Sequence, residues 1–132
     1  MRENMSDCDY KLIINLDGLP KMTNQLGRMH WRKKSKEANG WKDTIKYHCF
    51  RKEPIEPLKK VRIVCTRFSA KEPDYDGLVS GFKHCLDGLK LAKIIFDDKP
   101  SVIVHSQYKW VKTSPSCGKI RIEVYAHNEK EG

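Results

Sequence analysis

Between Lys119 and Tyr125 charged and apolar residues alternate without a break: Lys-Ile-Arg-Ile-Glu-Val-Tyr. Side chains on an extended chain point to opposite faces in turn, so this stretch reads as a strand with one buried and one wet face. Such a strand needs partners, and the chain offers three. Tyr10–Leu16 is β-prone and ends at Asp17-Gly18 and Pro20, Val61–Phe68 is a strong apolar strand, and Val102–Val111 is a long one. A turn with Pro115 and Gly118 joins the last two strands, which reads as a hairpin. From about His30 to Arg51, Trp31, Ala38, Trp41, Ile45 and Cys49 form one helical stripe, and this reading places both tryptophans in the core. Pro54 and Pro57 stop that helix. Leu78, Phe82, Leu86 and Leu89 give a second helix, reaching about Lys93. The order β-α-β-α-β-β defines an α+β fold: a single domain with two helices packed on a mixed sheet. It runs from 10 to 126, between a loosely held N-terminus, 1–9, and a polar tail, 127–132.

The charge narrows the partners. Twenty-six Lys and Arg against 17 Asp and Glu leave +9, which favours a polyanion. Five cysteines with no Cys-x-x-Cys spacing suggest neither a zinc ribbon nor a disulfide framework; reduced thiols in a cytoplasmic protein are the expectation. No Gly-x-Gly-x-x-Gly or Walker loop occurs, so nucleotide binding is not suggested, and no apolar run is long enough to cross a membrane. His30, His84 and His105 lack metal-ligand spacing and read as structural or surface groups.

Against this basic background, acids cluster in Glu72-Pro73-Asp74-Tyr75-Asp76-Gly77 and again at Asp97-Asp98. Carboxylates gather against their repulsion where something compensates, often a divalent cation. Mg²⁺ on two or three carboxylates activates water and neutralises a phosphodiester, and a lysine stabilises the added charge. Asp74, Asp76 and Asp98 as ligands, with Lys83 beside them, meet that list. Taken singly, each is an ordinary helix cap, turn acid or solvated lysine. A straight helix of roughly 20 residues would carry Asp98 about 30 Å away, so the helix must break or turn before Asp97. Arg28, Arg32, Lys33, Lys34 and Lys36 surround the start of the first helix and are candidates for phosphate contacts, with Lys21 and Lys71 able to add to them.

The pattern resembles the RusA-type Holliday junction resolvases. That family carries Asp-x-Asp-Asn, a helical lysine, an Asp-Ala-Leu-like run and an Asp-Asp before a strand. Here these are Asp74-Tyr75-Asp76-Gly77, Lys83, Asp87-Gly88-Leu89 and Asp97-Asp98. Upstream, Leu19-Pro20, Asn24, Arg28 and His30-Trp31-Arg32 are similar to the family's segment between first strand and first helix, so the resemblance covers roughly 10–125. It implies a homodimeric endonuclease, dependent on Mg²⁺ (Mn²⁺ substituting), that resolves four-way junctions with paired nicks. It also implies Asp98 as ligand, with Asp97 either supporting it or simply capping the turn, Asn24 among the DNA contacts, and a bacterial or phage source. Gly77 stands where the family has Asn, and three extra residues separate Asp76 from Lys83. On one helix Lys83 would face the carboxylates from about 4.5 Å further along the axis. Tyr108 and Trp110 are the expected dimer surface. A non-catalytic nucleic-acid-binding module, and a nuclease acting on flaps or forks, are the competing readings.

Overall fold

The computed structural model describes residues 9–20 and 30–127. Four strands form one sheet: β1 (Lys11–Asp17), β2 (Val61–Ser69), β3 (Ile103–Lys112) and β4 (Lys119–Ala126), in the order β1-β4-β2-β3. β4 runs antiparallel to both β1 and β2, whereas β3 runs parallel to β2. The chain is thus an α+β domain with a mixed sheet. Its helices are α1 (Trp31–Cys49), the short α2 (Tyr75–Ser80) and α3 (Lys83–Leu91).

The alternation of β4 is realised in full. Ile120, Ile122 and Val124 are buried and meet Leu16, Ile14 and Leu12 of β1 across the ladder. β2 has Val61, Ile63, Cys65 and Arg67 on the same inner face, and its outward Val64 and Thr66 are buried too. A strand buried on both faces belongs in the middle of a sheet, and β2 has a neighbour on each side. This overturns the hairpin expected of the last two strands: β2 lies between β3 and β4. The crossover through α2 and α3 makes β3 parallel to β2. Residues 113–118, with a 3₁₀ turn at Pro115–Cys117, then step across the end of β2.

The core lies between the inner sheet face and the helices. It joins Ile45 and Cys49 of α1, Leu78 of α2, Phe82, and Cys85 and Leu89 of α3 to the inner-face isoleucines and valines. Gly88 lets α3 approach α1 closely, since a Cβ there would stand 2.8 Å from the Ile45 Cβ. The stripe expected on α1 is buried only in its second half. Trp31 is 64% exposed rather than in the core, at the first position of α1, where residues 31–36 are all exposed; Trp41 is half-buried and donates its Nε1–H to Glu37. No helix among the described residues is long and apolar enough to cross a membrane.

The second helix is also not continuous. Asp74 caps α2 by accepting the Gly77 N–H at 3.0 Å, and the helix stops at Ser80. The Phe82 side chain is 1% exposed and packs on Tyr108 of β3 with ring centroids 6.0 Å apart. α3 then starts afresh at Lys83. The angular count that would carry Lys83 round to Asp76 on one helix therefore does not apply.

Candidate metal and nucleic-acid site

The acids fall into two groups. Asp74 and Asp76 stand exposed at the start of α2, with one Asp74 oxygen already committed to the cap. The second group lies where α3 meets the 97–98 corner. The Asp98 backbone N–H donates to Asp97 Oδ1 at 2.7 Å, and Asp87 of α3 is near enough to perturb the Asp98 carboxyl. Desolvation, then Asp97 and Asp87, raise the Asp98 carboxyl above its ordinary value. Asp97 is the compensated member. The Asp98 N–H and then Lys90, whose Nζ lies 3.2 Å away, hold it down at about 2, and Lys99 approaches at 3.7 Å. Asp97 thus accepts the Asp98 backbone N–H within the turn and faces two lysines, a geometry that suits a turn cap as well as a support for Asp98.

Among the described residues no three His, Cys, Asp or Glu side chains are gathered as a metal site. Asp74, Asp76 and Asp98 are therefore not brought together as a triad. The carboxyls that influence one another are Asp87 and Asp98. Mg²⁺ is commonly held by one or two carboxylates with water and substrate oxygens completing its shell, so this pair is a fitting oxygen donor set. Asp87 was not singled out as a site residue from sequence. Its signal was present: it stands four residues after Lys83, one turn away (about 6 Å) on the same helical face. Lys83 is exposed at the first position of α3, in no ion pair with a described residue. His84 lies 4.0 Å from Asp87, too far for a hydrogen bond; burial pushes its imidazole down, against the opposing pull of Asp87.

A second residue missed from sequence is Arg67. It is 7% exposed on the inner face of β2, with its Nη1–H on the Pro20 carbonyl at 3.2 Å and its Nε unpartnered. Desolvation lowers its pKa, and no described carboxylate pairs with it. The parity of β2 was the signal, since 67 belongs to the inward series 61, 63, 65. Arg67 ties down Pro20, where the chain enters the 21–29 segment.

Of the expected DNA contacts, Asn24 and Arg28 lie outside the described residues, as does Lys21. Arg32, Lys33, Lys34 and Lys36 are all exposed on the first turns of α1. His30 caps this helix through Nδ1, which accepts the Arg32 N–H at 3.2 Å. The Arg32 guanidinium lies 5.3 Å from the centre of the Trp31 ring. Lys33 and Lys36 line an open cleft of about 560 Å³ with Asp17, Glu37 and Trp41. The first turn of α1 carries no acid, so cations crowd the positive end of a 19-residue helix. That arrangement costs free energy unless an anion offsets it.

No protein-family model matches the chain, and no curated protein matches it.

Proposed function

We propose that the protein is a Mg²⁺-dependent endonuclease of the RusA type that cuts branched DNA, the four-way junction being its substrate class, and that it acts as a homodimer. The observation that carries this reading is the mutual influence of Asp87 and Asp98 beside the helix that begins at Lys83, in a chain of charge +9. Two carboxyls near enough to perturb one another repel when both ionise, and a hard cation relieves that repulsion. When bound, the ion polarises the scissile phosphate and supplies an activated water.

The chain's own groups complete the chemistry. Asp87 and Asp98 would hold the ion, and Asp97 fixes the backbone on which Asp98 stands. Asp74 and Asp76 would join them as DNA enters. Lys83 faces solvent in no ion pair with a described residue, available for the charge that grows on the phosphate. Arg32, Lys33, Lys34 and Lys36, at the positive end of α1, would hold phosphates without reading sequence. Two sites related by a two-fold axis suit a junction that needs two cuts.

The test is cleavage of an end-labelled four-way junction in Mg²⁺, with a linear duplex and the Asp76→Asn variant alongside. Wild type is expected to nick the junction symmetrically and spare the duplex, while Asp76→Asn binds and does not cut. If both proteins bind and neither cuts in Mg²⁺ or Mn²⁺, the non-catalytic binding module replaces the enzyme.

A further inference from the structure

The sheet has a second face, and the described helices pack against the other one. The core cluster draws its strand residues from the inner series alone; Val64, though buried, stands outside it. The register places Arg62 beside Tyr125, Thr66 beside Arg121 and Phe68 beside Lys119 on the outer face, with Lys109 next to Thr66 on β3. Lys11 joins them from β1. Five basic side chains thus share this face with two acids, Asp17 and Glu123. Glu123 already accepts the Tyr125 hydroxyl at 2.6 Å.

The cations are held in place by aromatic rings. The Arg62 guanidinium lies 4.4 Å from the centre of the Tyr125 ring. Lys119 Nζ and the Arg121 guanidinium lie 5.0 and 5.5 Å from the centre of Phe68, and Arg121 also donates to Asn15 at 2.9 Å. None of Arg62, Lys109, Lys119 and Arg121 is in an ion pair with a described residue. Arg62 and Phe68 are six residues apart on β2, about 20 Å. The two cation clusters therefore span roughly six base steps of 3.4 Å.

We infer that the outer face of the sheet is a second DNA-contacting surface, which takes the phosphate backbone of a duplex arm. A second copy of the chain is a poor occupant, because a two-fold contact would set this positive face against itself. An unstacked single strand is poor as well. Its bases need open aromatic faces, and here the rings are covered by the protein's own cations. A duplex offers phosphates and asks for no stacking. The surface needs no metal, so the inference stands whether or not the acids cut DNA. For a branched substrate it would hold one arm while another lies across the helix side.

The experiment is duplex binding in EDTA as a function of salt, for wild type and for the triple variant Arg62→Gln, Lys119→Gln, Arg121→Gln. Loss of three phosphate contacts should lower the slope of log K against log salt by about 2.7, and affinity near 0.15 M by about ten- to hundredfold. The triple variant Lys46→Gln, Lys52→Gln, Lys59→Gln makes the same change in net charge and should move both far less. Lys109→Gln alone, an exposed change that the fold tolerates, should lower the slope by about 0.9. Equal losses in the two triple variants would reduce the effect to net charge and overturn the inference. So would a variant that keeps its duplex affinity while losing single-strand binding or dissociating a dimer.

Discussion

Replacing Phe82 by alanine is expected to cost about 3–5 kcal/mol of unfolding free energy. Its ring is the largest of the fully buried side chains, seated at the break between α2 and α3 and packed on Tyr108. Removing it leaves a cavity where the two halves of the crossover meet, and a close-packed core relaxes only partly into such a space. A domain of this size holds about 5–15 kcal/mol in all, so much of its stability would go. At 132 residues the loss corresponds to a fall in Tm of about 10–18 °C. Phe96→Ala is the control: Phe96 is 63% exposed, and its removal should stay within about 0.5 kcal/mol. Thermal unfolding followed by circular dichroism separates the two. A Phe82→Ala transition as high as that of Phe96→Ala would mean that the α2–α3 corner does not carry the core as described.

The second large effect belongs to the acids. Asp98→Asn should lower the rate of junction cleavage by at least about a hundredfold, comparable to losing one preorganised charge-stabilising group in other enzymes. Asp87→Asn, from the same carboxyl pair, should cost a similar factor. Asp97→Asn should cost about ten- to hundredfold, the range for a group that orients a ligand. Asp97 also has a stability signature. Its carboxyl is depressed to about 2, below the unfolded value of 3.8, so its contribution is present above pH 3.8 and is lost as pH falls through about 2. Asp97→Asn should remove that acid-limb dependence, a readout independent of cleavage. Rates measured in single turnover, with junction affinity measured alongside, distinguish lost chemistry from lost binding. Asp98→Asn cutting at the wild-type rate would remove the 97–98 corner from the site.

Much of the architecture was legible because it depends on short-range pattern. The alternation in 119–125 and the apolar run of 61–68 each determine one strand, and burial follows from parity. What escaped depends on long-range choice. Adjacent strands joined by a short turn usually pair, but here β2, buried on both faces, takes the place between β3 and β4. Periodicity across 78–93 concealed the break at Gly81-Phe82, since leucines on both sides serve the same core. Trp31 continued the stripe of α1 in sequence, yet the helix buries only its second half, at Ile45 and Cys49, and the Trp31 ring meets solvent.

The site was legible in the same divided way. The chemical types and the basic first turns of α1 could be read, because charge clustering is a local signal. The grouping could not. Asp98 comes near Asp87 because α3 restarts at Lys83 and ends at Leu91, which fixes how the chain returns to the 97–98 corner. Arg67 went unnoticed because an arginine at an inward position of a strand is chemically improbable until its carbonyl partner, Pro20, is seen.

We propose that the two acid groups, Asp74 with Asp76 and Asp87 with Asp98, which do not form one cluster in the free protein, come to serve one divalent-metal centre when DNA is bound. Mn²⁺ binding, followed by calorimetry on the wild-type protein mixed with non-cleavable junction DNA, tests it most directly. Asp76→Asn and Asp98→Asn are each expected to weaken Mn²⁺ binding, and the double variant to weaken it by less than the product of the two, since both groups would face one ion. Wild-type protein that takes up no Mn²⁺ on DNA, or two substitutions whose effects multiply independently, would contradict a shared centre.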